Sequence, residues 1–136
     1  MDSDNILVLQ NKCETSDSIC IELENAGFTV ISATDMGKAL QQVVDVKPDV
    51  VILHVDHPKT GGIEICRAIV QDNSVHSHVI VISSKNDLQT MLSYFIAGAN
   101  RFLSKPFHVN DLLCEINNAI RKKKMSSVQM YNAAHD

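Results

Sequence analysis

The first polar side chains that could do chemistry stand where a strongly apolar segment ends. Residues 50–53 read Val-Val-Ile-Leu, a continuous β-branched-rich run that predicts a central strand buried on both faces. The chain turns polar at His54, and Pro58 prevents the strand from continuing. Ligands of open parallel sheets bind at the carboxyl ends of the strands. His54 is therefore where we look first for a site.

The residues around His54 also permit a metal hypothesis. His54, Asp56 and His57 lie close together in the sequence, and imidazole and carboxylate groups are typical zinc ligands, with His108 as a fourth candidate. Side chains alternate between the two faces along a strand, so His54 and His57 would point to opposite sides. We therefore expect no metal site here.

Five apolar segments with strand character alternate with five helical patterns. By number, the strand segments are residues 5–10, 28–32, 50–53, 79–82 and 101–103. Strands that alternate with helices through short connections form a parallel sheet with helices on both faces. We expect Asn86 or Asp87 to cap the fourth helix and Asn110 or Asp111 to cap the fifth.

Composition excludes several classes of protein. A chain of 136 residues is expected to form one domain, and its net charge of -4 gives no reason to expect nucleic acid as a partner. The four cysteines show no Cys-x-x-Cys pair, which argues against a zinc module and fits a reducing cytoplasm. No apolar run is long enough to cross a bilayer, and no signal peptide begins at the acidic N-terminus, so we expect no membrane association.

Several of these segments resemble the receiver domain of two-component response regulators. The resemblance covers residues 5–121 and is carried by residues 6–9, 26–30, 47–58 with 61–64, and 97–107. The last segment, Ala-Gly-Ala-Asn-Arg-Phe-Leu-Ser-Lys-Pro-Phe, is the most specific. The fold that the resemblance implies is a flavodoxin-like (βα)5 doubly wound α/β domain with strand order 2-1-3-4-5.

The family's chemistry is the phosphorylation of an aspartate on the third strand. An acidic pair after the first strand helps to hold Mg²⁺, a hydroxyl residue ends the fourth strand, and a lysine follows the fifth. By resemblance, the acidic pair falls on Gln10 and Asn11, and the phosphoacceptor falls on His54. The remaining positions keep the family pattern. Ser83 keeps the hydroxyl and Ser84 is its small neighbour. Lys105 keeps the lysine and is followed by Pro106, a pair that the family often joins by a cis peptide bond.

Three carboxylates of the family pattern are thus replaced by neutral or basic groups. Mg²⁺ requires hard oxygen ligands, so we expect Mg²⁺ binding to be lost and no cofactor to be bound. The resemblance then implies a degenerate receiver that does not undergo Mg²⁺-dependent aspartyl phosphorylation, and that is not an enzyme.

Three alternatives remain for the same residues. Asp56 shares strand parity with His54, about 6–7 Å further along an extended chain, and could be a displaced phosphoacceptor. His54 could itself be phosphorylated, because imidazole is a competent nucleophile. Alternatively, Ser83 and Lys105, together with the side chains at positions 10, 11 and 54, could hold an anion or small molecule where the phosphoryl group normally sits.

The resemblance also supplies an interaction surface for a signalling protein. It consists of the fourth helix, fifth strand and fifth helix, with Leu88, Arg101, Phe102 and Asp111, and with Ser83 and Phe102 coupling the pocket to it. We expect a stand-alone receiver, monomeric or weakly dimeric, over residues 1–124. Residues 125–136 are expected to form a flexible tail, preceded by the basic run 121–124, which either complements the helix dipole or contacts a partner.

Overall fold

The sheet has the predicted parallel topology. The computed structural model describes residues 5–10, 15–33, 36–55, 61–72, 76–85 and 87–135, without the side chains of residues 10, 15–18, 36 and 123–135. Its five strands form one sheet in the order β2-β1-β3-β4-β5, and every neighbouring pair is parallel. The strands are β1 (Asn5–Gln10), β2 (Thr29–Ala33), β3 (Val50–His54), β4 (His78–Ser83) and β5 (Arg101–Ser104).

The central strands are buried on both faces because helices cover both sides of the sheet. All five residues of β3 are buried, as its continuous apolar run predicts. Alternate strand residues feed two separate cores. The strand residues of one core include Leu7, Leu9, Val51, Leu53, Val79 and Val81. Those of the other include Ile6, Val8, Val50, Ile52, Ile80 and Ile82.

Five α-helices complete the domain. They are α1 (Thr15–Asn25), α2 (Ala39–Val46), α3 (Gly62–Gln71), α4 (Leu88–Ile96) and α5 (Val109–His135), with a short 3₁₀ helix at Met36–Lys38 before α2. Residues of α2, α3 and α4 pack in the first core, and residues of α1 and α5 pack in the second. No helix within the described ranges has both the length and the apolar character that crossing a bilayer requires.

The two predicted helix caps have different outcomes. The Asp87 carboxylate accepts the Thr90 N–H at 3.2 Å, so Asp87 caps α4 as predicted, whereas Asn86 lies outside the described residues. The prediction for α5 is wrong, because the helix begins at Val109 and contains both Asn110 and Asp111. The His108 carbonyl already accepts the N–H of Asp111 at 2.9 Å, so Asp111 lies in the first turn.

The last helix is longer than the apolar pattern indicated. Its last described buried residue is Ile120, yet its backbone stays helical to His135. A helix rises about 1.5 Å per residue, so this extension is about 22 Å long. The boundary between a receiver unit ending at residue 124 and a flexible tail at 125–136 stays a prediction.

Candidate functional site

The carboxyl end of β3 carries a buried imidazole. His54 is the last residue of β3 and only 3% of its surface is exposed. In register it lies between Gln10, the last residue of β1, and Ile82 of β4. The N–H of Val55 donates to the Ile82 carbonyl at 2.9 Å, which continues the pairing one residue past His54. The strands on both sides therefore hold the backbone of His54 at the edge of the sheet.

Ser83 and Lys105 are joined through the backbone at the same edge. Ser83 ends β4 with 3% of its surface exposed, and its hydroxyl accepts the Lys85 N–H at 3.0 Å. Its carbonyl accepts the Lys105 N–H at 3.0 Å, and the Lys105–Pro106 peptide bond is cis, as the resemblance implies. His54, Ser83 and Lys105 thus meet at one end of the sheet, while Ser84 is exposed.

The other predicted site residues are only partly described. Gln10 has its backbone beside His54, but its side chain lies outside the described part of the structure. Asn11 and Asp56 lie outside the described residues altogether. The predicted roles of the acidic-pair positions and of Asp56 as a displaced acceptor therefore stay predictions.

The zinc hypothesis gains no support from the described residues. Within them, no group of three or more His, Cys, Asp or Glu side chains could hold a metal ion, although His57 and Asp56 fall outside that part of the chain. His78 lies at the opposite end of the sheet from His54, since it begins β4 and donates its N–H to the Asp49 carbonyl at 3.0 Å.

A buried tyrosine that the sequence analysis did not single out links the end of β3 to β5. Tyr94 of α4 is 5% exposed, and its ring centroid lies 6.0 Å from that of Phe102 on β5. A Cβ atom built on Gly62 would meet the Tyr94 hydroxyl and would lie 2.7 Å from Cγ1 of Val55, the residue after His54. Tyr94 therefore packs between the start of α3 and Phe102.

Burial also governs the protonation of the groups around Tyr94. Burial raises the pKa of the Tyr94 hydroxyl to about 12, with smaller contributions from Cys66 and Glu64. It likewise raises the pKa of the Cys66 thiol to about 11, against the opposing charge of Arg67. Both groups are therefore neutral at physiological pH.

The predicted interaction surface is largely exposed. Leu88 begins α4 with 70% of its surface exposed, and Asp111 is exposed in the first turn of α5. Arg101 of β5 pairs with Glu115 of α5, with Nε and Oε2 2.9 Å apart and side chains 48% and 28% exposed. Phe102 is half-buried. These groups lie on the three elements that the resemblance names.

Comparison with known proteins identifies the family. The family model described as "Response regulator receiver domain" matches residues 6–117. This chain therefore belongs to the receiver domains of two-component response regulators, which are generally non-enzymatic signalling modules. The fold agrees, because it superposes on a CheY-like response regulator receiver domain protein from Methanospirillum hungatei JF-1 with a TM-score of 0.80. That match has 21% identity and covers 92% of this chain and 99% of that one.

Curated relatives of this chain include transcriptional regulators. The chain is 29% identical over 118 residues to the DNA-binding dual master transcriptional regulator RpaA of Synechocystis sp., covering 86% of this chain and 49% of that protein. It is 27% identical to the phosphate regulon transcriptional regulatory protein PhoB of Pseudomonas aeruginosa, covering 86% of this chain and 52% of that protein. The chain thus spans about half the length of the curated relatives it matches.

Proposed function

We propose that this receiver domain acts in two-component signalling through protein–protein contacts, without Mg²⁺-dependent phosphorylation of an aspartate. The observation that carries the proposal is the buried imidazole of His54 at the end of β3. By resemblance, this is the position of the acceptor carboxylate in receivers. An imidazole there cannot form the acyl-phosphate that a carboxylate nucleophile forms.

Electrostatics also argues against a Mg²⁺ ion at this edge. Mg²⁺ prefers carboxylate and water oxygens in octahedral geometry, whereas positions 10, 11 and 54 carry two amides and an imidazole. Replacing one carboxylate at about 4 Å by a neutral group removes on the order of 4 kcal/mol of attraction for a cation at an effective dielectric constant of about 20. Lys105 joins the same edge and adds a positive charge. The donor set does not fit the ion.

The exposed groups support binding to a protein partner. Leu88, Arg101 and Asp111 offer apolar and charged contacts on α4, β5 and α5. Such a mixture is typical of transient protein interfaces. A reducing compartment such as the cytoplasm fits the Cys66 and Cys114 thiols, neither of which is in a disulfide.

The proposal is tested by an amide-resolved NMR titration with Mg²⁺ and then with beryllofluoride, a mimic of the phosphoryl group. We expect no saturable shifts at His54, Ser83, Lys105 or Phe102. Incubation with acetyl phosphate and Mg²⁺, followed by intact-mass measurement, should add no phosphoryl group.

A restored triple variant provides the matched control. Gln10→Asp, Asn11→Asp and His54→Asp together return all three carboxylates, and this variant should show saturable shifts that extend to Phe102. A wild-type protein that shifts as the restored variant does would refute the proposal. A phosphoryl group mapped to Asp56 would refute it equally and establish the displaced-acceptor alternative.

A further inference from the structure

The amino end of the sheet, opposite the edge that carries His54, has two basic residues on one face. His78 begins β4 and Arg101 begins β5, where Arg101 lies in register with Ile80. Residues two apart on a strand point to the same face, so His78 shares the face of Ile80. Ile80 packs in the second core, together with residues of α5. His78 and Arg101 therefore lie on the side of the sheet that α5 covers.

The α5 helix brings a third basic residue to the same end. Glu115 of α5 pairs with Arg101, with Oε2 and Nε 2.9 Å apart. Lys122 follows Glu115 by seven residues, which is two helical turns, so it lies on the same side of α5 about 10 Å further along. Because α5 starts beyond the carboxyl end of β5 and packs along the sheet, this direction leads towards the amino end. We call His78, Arg101 and Lys122 the amino-edge cluster.

The charges of the amino-edge cluster oppose the protonation of its histidine. Burial lowers the pKa of the half-buried His78, and the positive charges of Lys122 and Arg101 lower it further, while Glu115 opposes them. Three basic groups thus lie near one carboxylate, and that carboxylate is engaged by Arg101. A negative charge brought to the cluster from outside would reduce this repulsion and favour the protonated imidazole.

The strand on the other side of His78 leaves this balance unchanged. Val50 of β3 lies beside His78 in register and is uncharged. The His78 N–H donates to the backbone carbonyl of Asp49 at 3.0 Å, while the Asp49 carboxylate accepts the N–H of Asn5 at 3.1 Å. The charges that act on the His78 imidazole therefore come from β5 and α5.

We propose that the amino-edge cluster binds an acidic segment of a partner protein, and that protonation of His78 strengthens this binding. Carboxylates form charge-assisted hydrogen bonds with lysine, arginine and protonated histidine. Lys122 and Arg101 are exposed, and a few carboxylates on an extended segment match basic groups spread over about 10 Å. A long polyanion such as nucleic acid fits less well, because the chain as a whole has a net charge of -4.

The inference goes beyond the proposed function, because the amino-edge cluster lies at the opposite end of the sheet from His54 and involves no Mg²⁺. The experiment is an NMR titration of the full chain with a hexaaspartate peptide at low salt. Saturable amide shifts should concentrate on His78, Arg101 and Lys122, and they should disappear at about 0.5 M salt, where exposed charges are screened.

The titration of His78 provides a readout that non-specific attraction does not move. The pKa of His78, followed through its imidazole protons between pH 5 and 8, should rise by at least about half a pH unit when the peptide is saturating. By linkage, the peptide should then bind about threefold more tightly at low pH than at high pH. His78→Gln should remove this dependence on pH while keeping the weaker binding.

Two charge reversals locate the contact. Lys122→Glu should weaken peptide binding at least about fivefold, since it places a carboxylate where the peptide's own carboxylates would bind. Lys38→Glu is the matched control, because it changes the net charge equally at an exposed residue between β2 and α2, at the carboxyl end of the sheet. It should leave binding within about twofold of the wild type. Circular dichroism should show wild-type helix content in both variants.

Three outcomes would overturn the inference. The first is the absence of saturable shifts at the amino-edge cluster. The second is an equal loss of binding in Lys122→Glu and Lys38→Glu, which would mean that only the net charge matters. The third is tighter binding of a six-nucleotide single strand of thymidylate than of hexaaspartate, which would assign the cluster to nucleic acid. None of these outcomes bears on the proposal for His54, which the Mg²⁺ and beryllofluoride titrations test separately.

Discussion

Replacing Gly62 by alanine tests the packing between the end of β3 and α4. Gly62 begins α3 with ordinary helical backbone, so alanine meets no φ strain there. The added Cβ would instead meet the Tyr94 hydroxyl and lie 2.7 Å from Val55 Cγ1, closer than carbon atoms tolerate. Overpacking of this kind costs about 1–3 kcal/mol. The higher helix propensity of alanine offsets at most about 1 kcal/mol of that cost.

The free energy of unfolding, measured by urea titration and circular dichroism, should therefore fall by about 1–2 kcal/mol in Gly62→Ala. The partner variant Tyr94→Phe removes the nearest atom and leaves the ring carbon at 3.4 Å. In the Tyr94→Phe background, Gly62→Ala should lower the free energy of unfolding by at least about 0.5 kcal/mol less than it does in the wild-type protein, as expected for two groups in contact.

Gly27→Ala is the control that separates collision from backbone strain. Gly27 has φ +98°, but nothing lies within 4 Å of its built Cβ, so its cost is strain alone and should not depend on Tyr94. Equal costs of Gly62→Ala with and without the Tyr94 hydroxyl would refute the reasoning. So would a fully stable Gly62→Ala protein.

Two further predictions concern titration and capping. Burial, then the positive charges of Lys122 and Arg101, lower the pKa of His78, while Glu115 opposes them. As the pH falls, the unfolded chain therefore binds a proton at His78 before the folded chain does, so the free energy of unfolding should fall below about pH 6.5. In urea titrations at several pH values, His78→Gln should flatten this decline. An unchanged decline would contradict the assignment of the decline to His78. Asp87→Ala should lower the free energy of unfolding by about 1 kcal/mol in the same titrations, because it removes the cap of α4, whereas Asp87→Asn should keep most of that stability. Equal losses in the two variants would show that the cap hydrogen bond contributes nothing.

Local sequence was sufficient to locate the strands and to predict that they are parallel, because the strand segments are apolar and alternate with helical patterns. The run at residues 50–53 predicted a strand buried on both faces, and β3 is buried along its length. The alternation of strands with helices predicted a parallel sheet, and the resemblance supplied the strand order that the structure confirms. Strand ends differed by a residue or so, as at β4, which begins at His78 rather than at residue 79.

The helix positions depended on tertiary contacts. Large apolar residues lie on more than one side of α4, so its sequence does not indicate which of them meets the core. Tyr94 takes the buried position because it fits between Gly62 and Phe102, and Leu92, Phe95 and Ile96 are left exposed. The start of α5 was misjudged for a local reason, since the His108 carbonyl already accepts the Asp111 N–H and the helix begins before the predicted cap.

The sequence by itself determined which chemical groups stand at the strand ends, because strand periodicity locates the ends and residue identity needs no coordinates. His54, Ser83 and Lys105 could be named from it. Only the tertiary structure decided that the Ser83 carbonyl binds the Lys105 N–H, and that an uncharged apolar face of α4 remains open to solvent. Both depend on contacts between residues far apart in the chain, whose geometry is set by packing of the whole domain rather than by local preference.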